Sequence, residues 1–181
     1  MTTALLVIDM QMEMAHRTTA GRERANPQAE DRVAELLALF RERGLPVIHV
    51  HHNEPGTPVA FGQPGGEVMP CALPLPGEKI FVKSRSSAFA GTGLDDYLNV
   101  QGIDRLVLTG AVAAFCVTST TRAASDLGYQ VILPGDSLIG FDIPRPDGSR
   151  IPADALLDMT LTILGADFAR VLPTDMVARS I

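Results

Sequence analysis

Short apolar runs alternate along the chain with longer segments whose apolar residues recur every three or four positions. Residues 4–8, 46–50, 80–82, 106–108, 131–133 and 171–172 are six runs of the first kind. Their apolarity is continuous rather than alternating, the mark of strands covered on both faces of a parallel sheet. Between them, residues 27–43 carry Val33, Leu36, Leu37 and Phe40 on one face and stop before Gly44, which predicts a helix with a glycine C-cap. Residues 94–100, 116–127 and 153–164 are further predicted helices, the last two ended by Gly128 and Gly165. Strand–helix alternation of this kind predicts a three-layer αβα, Rossmann-like domain, with a six-stranded, mainly parallel sheet and helices on both faces.

Residues 53–78 break the rhythm, with six prolines, five glycines and no period. A loop of that length in a compact domain is usually a lid, a binding loop or a subunit contact. Phe61, Val68, Met69 and Leu73 give it groups to dock with, so an ordered arm beside the active site is expected.

Size and charge narrow the picture. A chain of 181 residues holds one sizeable core, and a single domain over residues 1–181 is expected. The net charge of -6 argues against nucleic acid or an anionic membrane as partner, since either wants a basic face. No apolar run approaches the roughly 20 residues of a membrane span. The opening Met-Thr-Thr lacks the basic region of a signal peptide, so a cytoplasmic protein with a small-molecule substrate is expected. Two cysteines, Cys71 and Cys116, are too few for a disulfide framework and point to one important thiol.

In an open parallel sheet the ligand site lies beyond the carboxyl ends of the strands. Asp9 follows the first run, Lys83 the third, and Thr109-Gly110 the fourth. Cys116 comes seven positions after Thr109, at the start of a predicted helix. A thiol has a pKa near 8.5 in isolation, and a helix start is expected to lower it. Asp9 can take the thiol proton and Lys83 can hold that carboxylate ionised, which makes Cys116 a nucleophile by triad logic. Each residue also has a plainer role: a turn aspartate, a surface lysine, a small core cysteine. With thirteen arginines and two lysines in the chain, the lysine draws a little extra interest. The coincidence of all three at strand ends favours the catalytic role.

The segment Ala-Leu-Leu-Val-Ile-Asp9-Met-Gln11 resembles the opening strand of the isochorismatase-like cysteine hydrolases. Lys83-Ser-Arg-Ser-Ser-Ala-Phe89-Ala-Gly-Thr92-Gly-Leu94 is similar to that family's lysine segment. Leu106-Val-Leu-Thr109-Gly110-Ala-Val-Ala-Ala-Phe-Cys116-Val117 is similar to its nucleophile segment, and residues 120–129 and 152–171 continue the likeness. The resemblance implies the triad Asp9, Lys83 and Cys116. It also implies a cis peptide at Ala111–Val112, an oxyanion hole from the Val112 and Cys116 N–H groups, and a homo-oligomer (dimer or tetramer). Metal-dependent nicotinamidases of this superfamily carry Asp-x-His-Pro after the second strand. Here the chain reads His52-Asn53-Glu54-Pro55, with no later histidine, so neither a metal nor another cofactor is expected. His49 and His51 are expected as structural or wall residues. The apolar Ala111-Val-Ala-Ala-Phe115 implies a less polar pocket with Phe89 and Phe115 as walls. Substrate specificity is expected to reside in the 53–78 loop, in Gln11 to Met14 and around Phe141, which makes Gln11 and Phe141 further expected pocket residues. The implied activity is hydrolysis of a C–N bond in a small amide, ureido compound or lactam through a thioester on Cys116. The alternatives are vinyl-ether hydrolysis, which needs only a general acid, a non-catalytic ligand-binding module, and a redox thiol.

Overall fold

In the computed structural model, which describes residues 2–181, the chain opens with β1 (Thr2–Ile8), α1 (Glu13–Thr19), β2 (Arg24–Ala25) and α2 (Ala29–Glu42). It continues through β3 (Val47–His52), β4 (Lys79–Lys83), α3 (Leu94–Val100), β5 (Ile103–Ala111) and α4 (Thr118–Asp126). Then come β6 (Gln130–Pro134), β7 (Leu138–Phe141), the small hairpin of β8 (Ile143–Pro144) and β9 (Arg150–Ile151), α5 (Ala153–Asp167) and β10 (Arg170–Leu172).

The six apolar runs are the six parallel strands, in the order β10-β6-β5-β1-β3-β4. Two short strands enlarge this sheet to eight: β7 pairs in parallel with Gly110 and Ala111 of β5, and antiparallel with β2. Neither is long enough to show a period in the sequence. From β1 the chain winds outward through β3 and β4, then returns to the other side of β1 for β5 and β6. That reversal opens a crevice between β1 and β5 at their carboxyl ends.

Alternation along each strand divides the core. Ala4, Leu6, Ile8, Ile48, Val50, Leu106 and Leu108 meet Leu94 and Leu98 of α3, Ala124 of α4, and Leu157 and Leu164 of α5. Leu5, Val7, Val47 and Val107 meet Val33, Leu36, Leu37 and Phe40 of α2 on the opposite face. Each fully buried Leu or Ile contributes about 1.5–3 kcal/mol relative to exposure. Among the described residues no helix is long and apolar enough to cross a membrane.

Two sequence expectations need correction. Helix α5 runs through Gly165 to Asp167. A Cβ at Gly165 would lie 3.2 Å from Val171 Cγ2, so this glycine admits β10 rather than stopping the helix. Cys116 does not open a helix either: it lies in a π-helical turn, Ala113–Val117, that precedes α4.

The 53–78 segment is ordered. Short 3₁₀ turns form at Pro64–Gly66 and Pro70–Ala72. The Met12 N–H donates to Glu67 O (2.8 Å) and the Met69 N–H to Met10 O (2.9 Å), which clamps the loop to the chain just after β1.

Strand β5 presses closely on β1 where the site begins. Gly110 is in register with Ile8, has φ 115°, and a Cβ there would lie 2.0 Å from the Ile8 carbonyl oxygen. Gly110→Ala is therefore expected to destabilise the protein by about 3 kcal/mol or more, read as a lower urea midpoint at unchanged slope. An unaltered midpoint would contradict the close approach.

Candidate active site

Strand pairing and one backbone kink assemble the site. His52 and Lys83 are partners in the parallel register of β3 and β4, and each continues the alternation that buries Val50 and Phe81 in the same core. Asp9, the residue after β1, has φ 50°. That left-handed conformation breaks the extended alternation that sends Leu5 and Val7 to the α2 face. The peptide Ala111–Val112 is cis, and the turn holding Cys116 follows it.

The Lys83 ammonium is the hub. Its Nζ lies 2.7 Å from Asp9 Oδ2, 2.9 Å from His52 Nδ1 and 3.3 Å from Cys116 Sγ. A lysine ammonium has three N–H donors and no acceptor, so these contacts use its full capacity. The Lys83 side chain is wholly buried. Asp9 Oδ1 is also buried and has no hydrogen-bond partner among the described residues. It leaves an open acceptor in a cluster where ligand-type atoms of Asp9, His52 and Cys116 lie within 4.8 Å of one another.

Burial pushes the Asp9 carboxyl above the usual carboxylate range, against the pull of Lys83. Burial, and after it the Asp9 charge, push the Cys116 thiol up to about 11, with Lys83 pulling the other way. The resting thiol is thus protonated at neutral pH. This reverses the lowering expected of a helix start, because the residue is packed in a turn ahead of α4 and beside a carboxylate. A nucleophile here must be made by proton transfer, and a carboxyl with a raised pKa is the better matched acceptor.

Asp9, His52 and Cys116 form the floor of a cavity of about 380 Å³, together with Gln11 and Val112; Lys83 lies buried beneath it. Glu54, Thr57, Pro58 and Val59 of the long loop make one wall, and Met14 and Arg17 of the α1 segment another. Gln11 reaches the cavity, yet its amide is chiefly a clamp. Its Nε2 donates to His52 O (2.9 Å) and Gly66 O (3.1 Å), and its Oε1 accepts from His52 N (2.8 Å).

The aromatic walls expected from the sequence lie elsewhere. Phe89 stacks on Tyr129, with centroids 5.9 Å apart, against the core of α3, α4 and α5. Phe115 is 53% exposed and is not among the residues that line this cavity. Phe141 is buried in the α2-side core, with the Arg22 guanidinium 5.6 Å from its ring centroid. Position near Cys116 or a strand end in the sequence does not fix the direction of a side chain.

His49 and His51 are buried away from the cavity. His49 Nε2 meets Glu78 Oε2 at 2.8 Å, and burial lowers the His51 pKa to about 4. Glu54 and Thr57 to Val59 belong to the loop expected as an arm beside the site, whereas Arg17 of α1 was not legible as a pocket residue. The partnership of His52 with Lys83 had a legible clue: both close adjacent apolar runs in matching alternation.

Asp9, His52 and Cys116 have the donor types of a metal site. They do not fit a divalent ion while Lys83 stands among them, because an ion there would face an ammonium at contact distance.

The sequence profile of the Isochorismatase domain matches residues 3–144. The chain belongs to the isochorismatase family of cysteine hydrolases. A crystal structure of a putative isochorismatase-family hydrolase from Chromobacterium violaceum superposes with a TM-score of 0.93 at 36% identity, covering 99% of this chain and 93% of that one. A streptothricin hydrolase of Streptomyces noursei is 37% identical over 153 residues, 83% of this chain and 55% of that protein. An N-carbamoylsarcosine amidase of an Arthrobacter species is 34% identical over 106 residues, 59% of this chain and 36% of that protein. In this isochorismatase-family chain the Asp9 charge raises the thiol pKa and the Lys83 charge lowers it. In a Cys71→Ser background, Asp9→Asn should therefore titrate Cys116 below the parent value and Lys83→Met above it, read by thiolate ultraviolet absorbance. A thiol pKa that stays put or rises in Asp9→Asn would contradict the arrangement.

Proposed function

We propose that this protein hydrolyses a C–N bond in a small amide, ureido compound or lactam, with Asp9, Lys83 and Cys116 as its catalytic triad. The observation that carries the reading is Lys83, buried in simultaneous contact with Asp9 and Cys116, the two residues of the three that line a cavity. Cys116 Sγ attacks the amide carbonyl as Asp9 takes the thiol proton. The carbonyl oxygen becomes an oxyanion that accepts from the Val112 and Cys116 N–H groups. Asp9 then delivers the proton to the leaving nitrogen, the C–N bond breaks, and a thioester remains on Cys116. Water, with Asp9 as general base, hydrolyses the thioester and restores the thiol. Lys83 orients Asp9 throughout and keeps it ionised between proton transfers.

The size of the cavity, about 380 Å³, suits a small molecule. The names of the streptothricin hydrolase and the N-carbamoylsarcosine amidase support hydrolysis, the latter of an amide. In a screen of small amides read by ammonia release, a substrate should emerge whose turnover falls by about 10³-fold or more in Cys116→Ala and in Asp9→Asn. Cys116→Ala should still bind it, because the walls are untouched. Near wild-type turnover by Cys116→Ala would rule out the nucleophilic route and leave the acid-only alternative.

A further inference from the structure

We infer that His52 is a further substrate-binding residue of this site: with Nδ1 held by Lys83, it presents an Nε2–H to the cavity as a fixed hydrogen-bond donor. The inference rests on the amidase reading for the chemistry of what it binds. It rests on geometry alone for the state of the ring. Because the ammonium can only donate, the 2.9 Å contact from Lys83 Nζ makes His52 Nδ1 an acceptor. A neutral imidazole that accepts at one nitrogen carries its proton on the other. The neighbour of Nε2 is Glu54 Oε2 at 3.4 Å, a contact at the outer limit of a hydrogen bond from a carboxylate that is 59% exposed and free to yield to a ligand.

The ring is also fixed in place. Gln11 holds both the N–H and the carbonyl of His52, and the register with Lys83 holds the strand. Around it, Met14, Pro58, Val59 and Val112 are apolar. Arg17 and Thr57 are further donors of the lining, but the His52 ring is held at its backbone and at Nδ1, and a substrate without a matching acceptor leaves this fixed donor unpaired. The preferred amide thus carries a second oxygen acceptor close to the scissile carbonyl, as N-acylureas and 2-oxo-amides do.

Imidazole nitrogen NMR on the wild type, with His52 assigned by its disappearance in His52→Asn, should show the Nε2–H tautomer at neutral pH. His52→Asn retains an acceptor near the Nδ1 position and lacks Nε2. It should lower kcat/KM about 10-fold more, mainly through KM, for amides bearing the second acceptor than for simple amides. A purely structural role would weaken both substrate types alike. That outcome, or an Nδ1–H ring, overturns the inference. The ring spectrum needs no turnover, so an Nδ1–H result counts against His52 even where amide hydrolysis is found. Failure to find any amide substrate counts against the amidase reading instead.

Discussion

A single buried ammonium is the constraint on which this site depends. Removing a lysine charge from water costs several kcal/mol unless its donors are met, and the Lys83 side chain is wholly buried. Its three N–H groups reach a carboxylate, a ring nitrogen and a sulfur. Breaking any of these contacts leaves a buried charge short of a partner. The same arrangement holds Asp9 in place while leaving its Oδ1 open. Both pKa directions at the site follow from burial acting against that one cation.

The fold is arranged to meet this need. Lys83 ends β4 at the sheet edge, and its partners come from the ends of β3, β1 and the turn after β5. Strand order alone brings these four chain segments to one edge of the sheet. The close approach of β5 to β1 at Gly110 then sets where the Cys116 turn begins. The long loop completes the enclosure, anchored through Met10, Met12 and Gln11 to the chain just after the strand that delivers Asp9. The loop's hold on that segment couples the cavity wall to the position of Asp9.

Much of this was legible in the residues themselves. Continuous apolar runs marked the six parallel strands, since burial on both faces leaves no polar alternation. Reactive side chains just beyond those runs marked Asp9, Lys83 and Cys116. What stayed hidden depends on direction and closeness rather than residue type. The left-handed kink at Asp9 and the π-turn around Cys116 are local geometries with no periodic signature. Gly165 looked like a helix stop, whereas it makes room for Val171. Phe89, Phe115 and Phe141 are near the site in sequence but turn into other surroundings. The lining also includes Arg17 of α1, which no pattern in the sequence marked.

The central claim is that the thiol becomes covalently acylated, and intact-mass spectrometry of the enzyme quenched within its first turnovers of a substrate amide tests it most directly. The account predicts a transient adduct with the mass of the acyl portion, located on the Cys116 peptide and decaying as product accumulates. Steady product formation with no adduct on Cys116 at any time would contradict it.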